Sequence, residues 1–423
     1  MPHAARSALH LGSTTSRSTS PSGPSGTARG RARRTVTALV GAGAVVALGL
    51  VAACAPLPYE PPATPSAGES QDAAPVEAAP AETADQTGVP TCTTLGESRA
   101  AGGGSDVDPA SFPTGPTSAT FADDAIHPIA DAPAPQLPVT VESVDGRTVE
   151  ITDVSRIIPV DLYGTLGEIV YSLGLGANVV GRDLPTGFPE AADVPVVTGA
   201  GHALDVEAIL GLDPSVILTD ATILTDDVRG QLESSGIPVV YFDEARTLDG
   251  VDDRIRAVAT ALGVPAQGEA LVERTDRQIC AALGAVPRDT GNPRVAFLYL
   301  RGSNIKMLFG PGSGADDLIQ EIGGEDAGTA IGLTQEYAPV TSEAIISAAP
   351  DAYLVMTDGL ESMGGLDAMM AIPGLAQTPA GEARRVVDMD GSRLLTFGTR
   401  TGSTIASLVE AFYGVPAPEL PAS

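Results

Sequence analysis

The chain of 423 residues has no tryptophan, one lysine, three cysteines and four histidines, and only 4% of it is aromatic. Each shortage narrows the range of functions. Lys306 is the sole lysine and the net charge is −29, so the clustered cations that a phosphate backbone requires are missing and nucleic acid is excluded as a partner. His202 is the only histidine outside the basic leader and the polar stretch behind it. Zinc and manganese sites usually need several His, Asp and Glu ligands, so a receptor for either is disfavoured. A nucleophile, base and orienting acid cannot be assembled around one histidine either, so the sequence reads as a non-enzyme. The segment Gly310-Pro-Gly-Ser-Gly314 lacks the Gly-Lys-Ser/Thr end of a phosphate loop and reads as a strand-to-helix turn.

An apolar fraction of 43% is enough to build substantial cores. The first 53 residues hold six arginines and no acid, and an uncharged apolar run from Val36 to Ala53 leads to Cys54. That order describes a secretory signal, and no other run is long enough to span a bilayer. Val51-Ala52-Ala53-Cys54 resembles a bacterial lipobox, which implies removal of residues 1–53 and lipidation of Cys54. The expected location is the extracytoplasmic face of the cell membrane, held there only by the lipid. An ordinary signal peptide or a single anchoring helix is the alternative, and Arg33-Arg34 leaves Sec or twin-arginine export open. Residues 54–138, rich in Pro, Ala and acids, read as a disordered tether in which His127 has no role. Cys92 and Cys280 form one possible disulfide in an oxidising exterior, which spacing alone leaves open.

Beyond the tether, short apolar strands alternate with amphipathic helices, the pattern of an α/β protein with mostly parallel sheets. Residues 139–246 form a first lobe in this reading. It contains strand material at residues 148–152, 156–160, 179–180, 194–197, 216–218 and 238–242, and helices at 164–173 and 226–234. Residues 247–290 hold two strandless helical patterns, the second a long rigid link between lobes, and residues 291–418 form a second lobe. The segment Asp205-Val-Glu-Ala-Ile-Leu-Gly-Leu-Asp-Pro-Ser-Val-Ile-Leu218 returns 136 residues later as Thr341-Ser-Glu-Ala-Ile-Ile-Ser-Ala-Ala-Pro-Asp-Ala-Tyr-Leu354, with five identities in fourteen positions. Two lobes of similar construction follow.

Tyr299 and Arg301 sit two apart near the end of an apolar strand, so they project to one face where parallel sheets gather ligands. A neighbouring guanidinium favours phenolate, a hard donor suited to ferric iron, and tyrosine is a known haem ligand. A packed tyrosine beside a solvated arginine is the plain alternative. His202 follows a strand of the first lobe, the place that Tyr299 holds in the second, so one ligand from each lobe can clamp a flat iron porphyrin. Glu207 and Glu343 open the repeated helices, where a carboxylate favours the helix dipole by about 0.3–1 kcal/mol. They also suit a basic partner surface.

Several segments carry a family resemblance: Arg156-Ile-Ile-Pro-Val160, Gly164-Thr-Leu-Gly-Glu-Ile-Val170, Val180-Gly-Arg-Asp183, the two glutamate helices, and Phe309-Gly-Pro-Gly-Ser-Gly314 followed by Gly323-Gly324. The chain from Thr148 to Tyr413 resembles the helical-backbone class of substrate-binding proteins, which serve ABC importers of cobalamin, siderophores and haem. Within that class it is most similar to haem-binding lipoproteins of HmuT type. The resemblance implies haem as the transported ligand, held by His202 and Tyr299 with Arg301 beside the phenol and Met356 lining the pocket. It also implies a monomer that receives haem, free or from haem-carrying proteins, and docks through Glu207 and Glu343 on the permease that works with an ATPase. A ferric siderophore or cobalamin is the alternative cargo. An aromatic shelf for a porphyrin is not evident apart from Phe188.

Overall fold

The computed structural model describes residues 104–421, so the signal segment, Cys54, Cys92 and the tether as far as residue 103 lie outside the described residues. Ile157-Ile-Pro-Val160 and Val216-Ile-Leu-Thr219 are buried at every position, the pattern of strands covered on both faces. They form β4 (Ile157–Val160) and β5 (Val216–Thr219), which with β6 (Val239–Tyr241) make a parallel sheet in the order β4-β5-β6. Pro159 is tolerated because β4 is an edge. An antiparallel hairpin, β2 (Val139–Glu142) with β3 (Thr148–Ile151), precedes this sheet. The first-lobe helices are α1 (Thr165–Ser172), α2 (Val206–Gly211) and α3 (Asp226–Ser234).

Two helices then leave the lobe, α4 (Val251–Ala261) and α5 (Pro265–Gly284). Proline opens α5 at a position where its missing N–H is not needed, and 20 residues give a rod about 30 Å long. The second lobe runs through β7 (Arg294–Arg301), β8 (Ile305–Phe309), α6 (Ala315–Glu321), β9 (Glu325–Asp326), α7 (Ala327–Ala330), β10 (Tyr337–Pro339), α8 (Ser342–Ala348) and β11 (Ala352–Met356). It continues with α9 (Thr357–Ser362), α10 (Leu366–Met370), α11 (Pro379–Ala383), β12 (Val386–Met389), α12 (Gly391–Leu394) and α13 (Thr401–Tyr413), which packs along α5. With β1 (Pro116–Ala119) at its edge, its sheet has the order β1-β12-β11-β7-β8-β10, and β9 lies beside β7. Pairing is parallel from β1 to β7 and antiparallel through β8 and β10. The architecture is therefore two α/β lobes with mostly parallel sheets joined by a long helix.

Strand alternation sorts the core into layers. On β11, Ala352, Leu354 and Met356 face the continuous core shared with α5 and α13, while Tyr353 and Val355 face a separate outer cluster. On β7, Val295 and Phe297 share the inner core and Ala296, Leu298 and Leu300 the outer one. Inner-face positions beyond the packed part of the strand, Tyr299 and Arg301, are thereby aimed at the gap between lobes.

The structure departs from the sequence reading in the tether and in two short apolar runs of the first lobe, and it adds strands at residues 139–142, 305–309, 337–339 and 386–389. The tether was expected to run to residue 138, yet residues 116–119 form β1, paired parallel with β12, and Phe112, Ala119 and Ile126 are buried in the main core. A segment with few apolar residues is held here because it borrows hydrogen-bonding partners from a sheet that already exists. Residues 179–180 and 194–197 make only isolated bridges, Ile157 to Val179 and Arg182 to Val196.

The repeat is structural as well as sequential. Asp205 caps α2 by accepting from Ala208 N at 3.0 Å, and Thr341 caps α8 by accepting from Ala344 N at 3.1 Å. Ile209 and Ile345 anchor the two helices inward, and Glu207 and Glu343 are exposed on both.

Candidate functional site

A cleft of about 900 Å³ lies between the lobes, and His202, Tyr299, Arg301 and Met356 all line it. The four residues singled out in the sequence are thus brought to one cavity. Glu207 and Glu343 stand on the exposed faces of their helices and do not line it.

His202 comes from a tight loop closed by a Thr198–Leu204 bridge and by Gly199 N bonding to Ala203 O at 2.7 Å. Gly201 (φ 70°) and His202 itself (φ 63°) adopt the left-handed conformation, which is costly for a side chain with a Cβ and is held only by the surrounding loop. Half-burial, and then the charge of Arg301, hold the imidazole below its ordinary pKa, partly opposed by Asp358. The neutral ring keeps a lone pair for ligation, and its Nδ1 is buried without a hydrogen-bond partner.

From the other lobe, Tyr299 Oη accepts a hydrogen bond from Arg301 Nε at 3.2 Å, and the guanidinium is ion-paired to Asp358. The phenol oxygen is therefore oriented and its lone pairs are stabilised by a cationic donor. Met356, at the carboxyl end of β11, presents a soft thioether to the same cavity.

The expected absence of an aromatic shelf is corrected by the second-lobe hairpin. Antiparallel pairing of β7, β8 and β10 stacks Tyr299 on Phe309 (5.8 Å, 15° between planes) and Phe309 on Tyr337 (5.6 Å, 30°), and all three line the cleft. Phe188, the one shelf residue expected from the sequence, is instead packed edge-on against Tyr171 at 4.9 Å in the first-lobe core. Nothing local in the sequence announces this row, because its members meet only through pairing of strands.

Tyr163 faces the cavity from the first lobe with the Arg246 guanidinium 4.6 Å above its ring, and Arg246 is ion-paired to Glu336. Burial pushes the Tyr163 phenol up to about 12, so it stays protonated and available as a donor. Its loop is braced by buried carboxyls. Asp161 accepts from Tyr163 N at 2.8 Å and Leu166 N at 2.8 Å, Asp183 accepts from Asp161 N at 2.9 Å, and Asp220 accepts from Thr222 N at 2.9 Å. Burial, reinforced by the charge of Asp161, pushes Asp183 up to about 8 and Asp220 up to about 7. Outside the cavity lining, Glu168 of α1 accepts from Arg400 N at 2.9 Å and Arg400 Nε at 2.8 Å at the start of α13, fastening one lobe to the other.

Among the described residues, no group of three or more His, Cys, Asp and Glu is placed to hold a metal ion, and no helix is long and apolar enough to cross a membrane. A cavity with two donors from opposite lobes, a stacked aromatic wall and a thioether suits a large flat ligand that supplies most of its metal's coordination itself. Cys280 is buried and disulfide-bonded, and the other two cysteines lie outside the described residues.

The family model for periplasmic binding proteins matches residues 160–392. The crystal structure of heme-binding protein HmuT is 36% identical, covering 73% of this chain and 99% of that one, with a TM-score of 0.69. The apo form of the periplasmic heme-binding protein RhuT from Roseiflexus sp. RS-1 is 37% identical over 62% of this chain and 99% of its own, with a TM-score of 0.59. A cobalamin-binding protein of Halobacterium salinarum is 26% identical over 291 residues, which is 68% of this chain and 74% of the relative.

Proposed function

The chain belongs to the periplasmic binding protein family, and from that premise we propose that it captures ferric haem between its lobes and delivers it to an ABC importer. Proteins of this family are extracytoplasmic substrate-binding components that work with ABC permeases and ATPases, so the chain is a transport protein and not an enzyme.

The observation that carries the reading is the meeting of His202 from the first lobe with Tyr299 and Arg301 from the second in a single cleft. His202 and Tyr299 would hold the haem iron, one from each lobe. Arg301 stabilises the phenolate, Met356 fills the apolar edge, and the Tyr299-Phe309-Tyr337 row gives the macrocycle a stacking wall. Lipidated Cys54 tethers the receptor to the membrane, a Cys92–Cys280 disulfide ties the tether to the body, and Glu207 and Glu343 dock on cations of the permease.

Hemin titration tests the reading. Wild-type protein is expected to give a saturable Soret band, and both His202→Ala and Tyr299→Ala are expected to shift it. A band unchanged in both variants sinks the ligand assignment. Cobalamin is the second reading, favoured by the Halobacterium relative, and it predicts uptake of cobalamin with no Soret change on adding hemin.

A further inference from the structure

Arg301 is held at both ends, by Tyr299 and by Asp358. Its backbone closes β7, its Nε is bonded to Tyr299 Oη at 3.2 Å, and its Nη1 is ion-paired to the carboxylate of Asp358. Asp358 stands in the first turn of α9, where a carboxylate suits the helix dipole. The helix reaches β7 because Gly359 has no side chain, since a Cβ there would lie 2.7 Å from Leu300 O. Ser362 Oγ completes the dock by accepting from Gly302 N at 2.9 Å. On its other side Gly391 leaves room for the carboxylate, since a Cβ there would lie 3.2 Å from Asp358 Oδ1. A close helix-to-strand approach thus delivers one carboxylate to one guanidinium.

We propose that Asp358 is a positioning residue of the ligand site, whose carboxylate pins the Arg301 guanidinium so that Nε stays aimed at Tyr299 Oη. The proposal rests on the haem reading. In the open cleft the ion pair is partly exposed, 34% for the Arg301 side chain and 55% for Asp358, and such pairs contribute little. Both residues line the cavity, so a flat ligand that fills it excludes water from the pair and makes it effective only in the loaded state. Asp358 therefore orients the donor to Tyr299.

The test is a double-mutant cycle on hemin dissociation, measured by transfer to a haem-scavenging apoprotein, with the ferric tyrosinate charge-transfer band recorded for each variant. Asp358→Ala is expected to speed hemin loss about tenfold, the scale of one hydrogen bond to a charged group, and to shift the band. Asp358→Glu is expected to restore both in part. In an Arg301→Ala background, Asp358→Ala is expected to change neither. An equal acceleration in both backgrounds overturns the proposal, as does an unchanged rate and band in Asp358→Ala protein whose wild type shows the tyrosinate band. Wild-type protein that takes up no hemin overturns the haem reading, and this role with it.

Discussion

Tyr299 Oη and Arg301 Nε are 3.2 Å apart, a bond made possible because residues two apart on β7 share one face. The same face carries Phe297 into the core below, so the pair stands on a rigid strand rather than on a loop. Removing the phenol oxygen and removing its donor are therefore separable experiments.

Tyr299→Phe keeps the ring on Phe309 and loses only the oxygen. Hemin affinity is expected to fall at least tenfold with loss of the tyrosinate band, while Arg301→Ala is expected to cost about 10–100-fold and keep a shifted band. Spectrophotometric titration of both variants checks this, and equal wild-type spectra in the two would contradict it.

Phe309 touches both Tyr299 and Tyr337 and holds no iron in the proposed mode. Phe309→Ala is expected to weaken hemin binding by about 1 kcal/mol or more through lost stacking. Its Soret and charge-transfer positions are expected to match wild type, the reverse of the Tyr299→Phe result.

Stability is expected to depend on pH through the buried carboxyls under Tyr163. Asp220 has a folded pKa near 7 against an ordinary value of 3.8, so its favourable contribution is complete below about 4 and is lost as pH rises through 7. Thermal melts of apo protein are expected to decline from pH 4 to 8. Asp220→Asn keeps an acceptor for Thr222 N and removes the charge, so it is expected to flatten that decline by up to a few kcal/mol. A wild-type profile that rises over this range, or an Asn variant with the same slope, contradicts the assignment.

Charge reversal at Glu207 and Glu343 is expected to leave hemin binding and melting temperature unchanged, since both are exposed and outside the cleft. The double variant Glu207→Arg, Glu343→Arg is expected to abolish stimulation of the permease–ATPase complex in proteoliposomes, and each single variant to reduce it. Full stimulation by the double variant would move the docking surface elsewhere.

Much of this was legible in the chain itself. Continuous apolar runs such as Ala352-Tyr-Leu-Val-Met356 mark strands buried on both faces, and the strand from residue 352 to 356 forms as read. Asp205, Thr341 and Pro265 mark helix starts by chemistry that acts within a few residues. Tyr299 with Arg301 was readable because strand geometry acts over two residues. His202 was readable only by its place after the apolar run 194–197, which forms an isolated bridge and not a full strand, and its left-handed backbone, set by the closure of the loop, was not.

Contacts between distant segments escaped. Phe309 and Tyr337 joined the site through antiparallel pairing of β8 and β10, and neither strand stands out as a long apolar run. Residues 116–119 became a strand because an unpaired sheet edge was waiting for them, which composition cannot foresee. Asp358 looked like one acid among many until Gly359 let its helix settle on β7.

The sequence by itself determined the two-lobe α/β plan, the repeated glutamate helices and the shared face of Tyr299 and Arg301, because each follows from side-chain periods and caps spanning a few residues, whereas His202 was a candidate by its position and by the family resemblance. Only the tertiary structure decided that His202 and Tyr299 face one cleft, that an aromatic wall backs them and that Asp358 holds Arg301 in place. Those relationships join residues far apart in the chain, and their geometry exists only after sheets have paired and helices have packed.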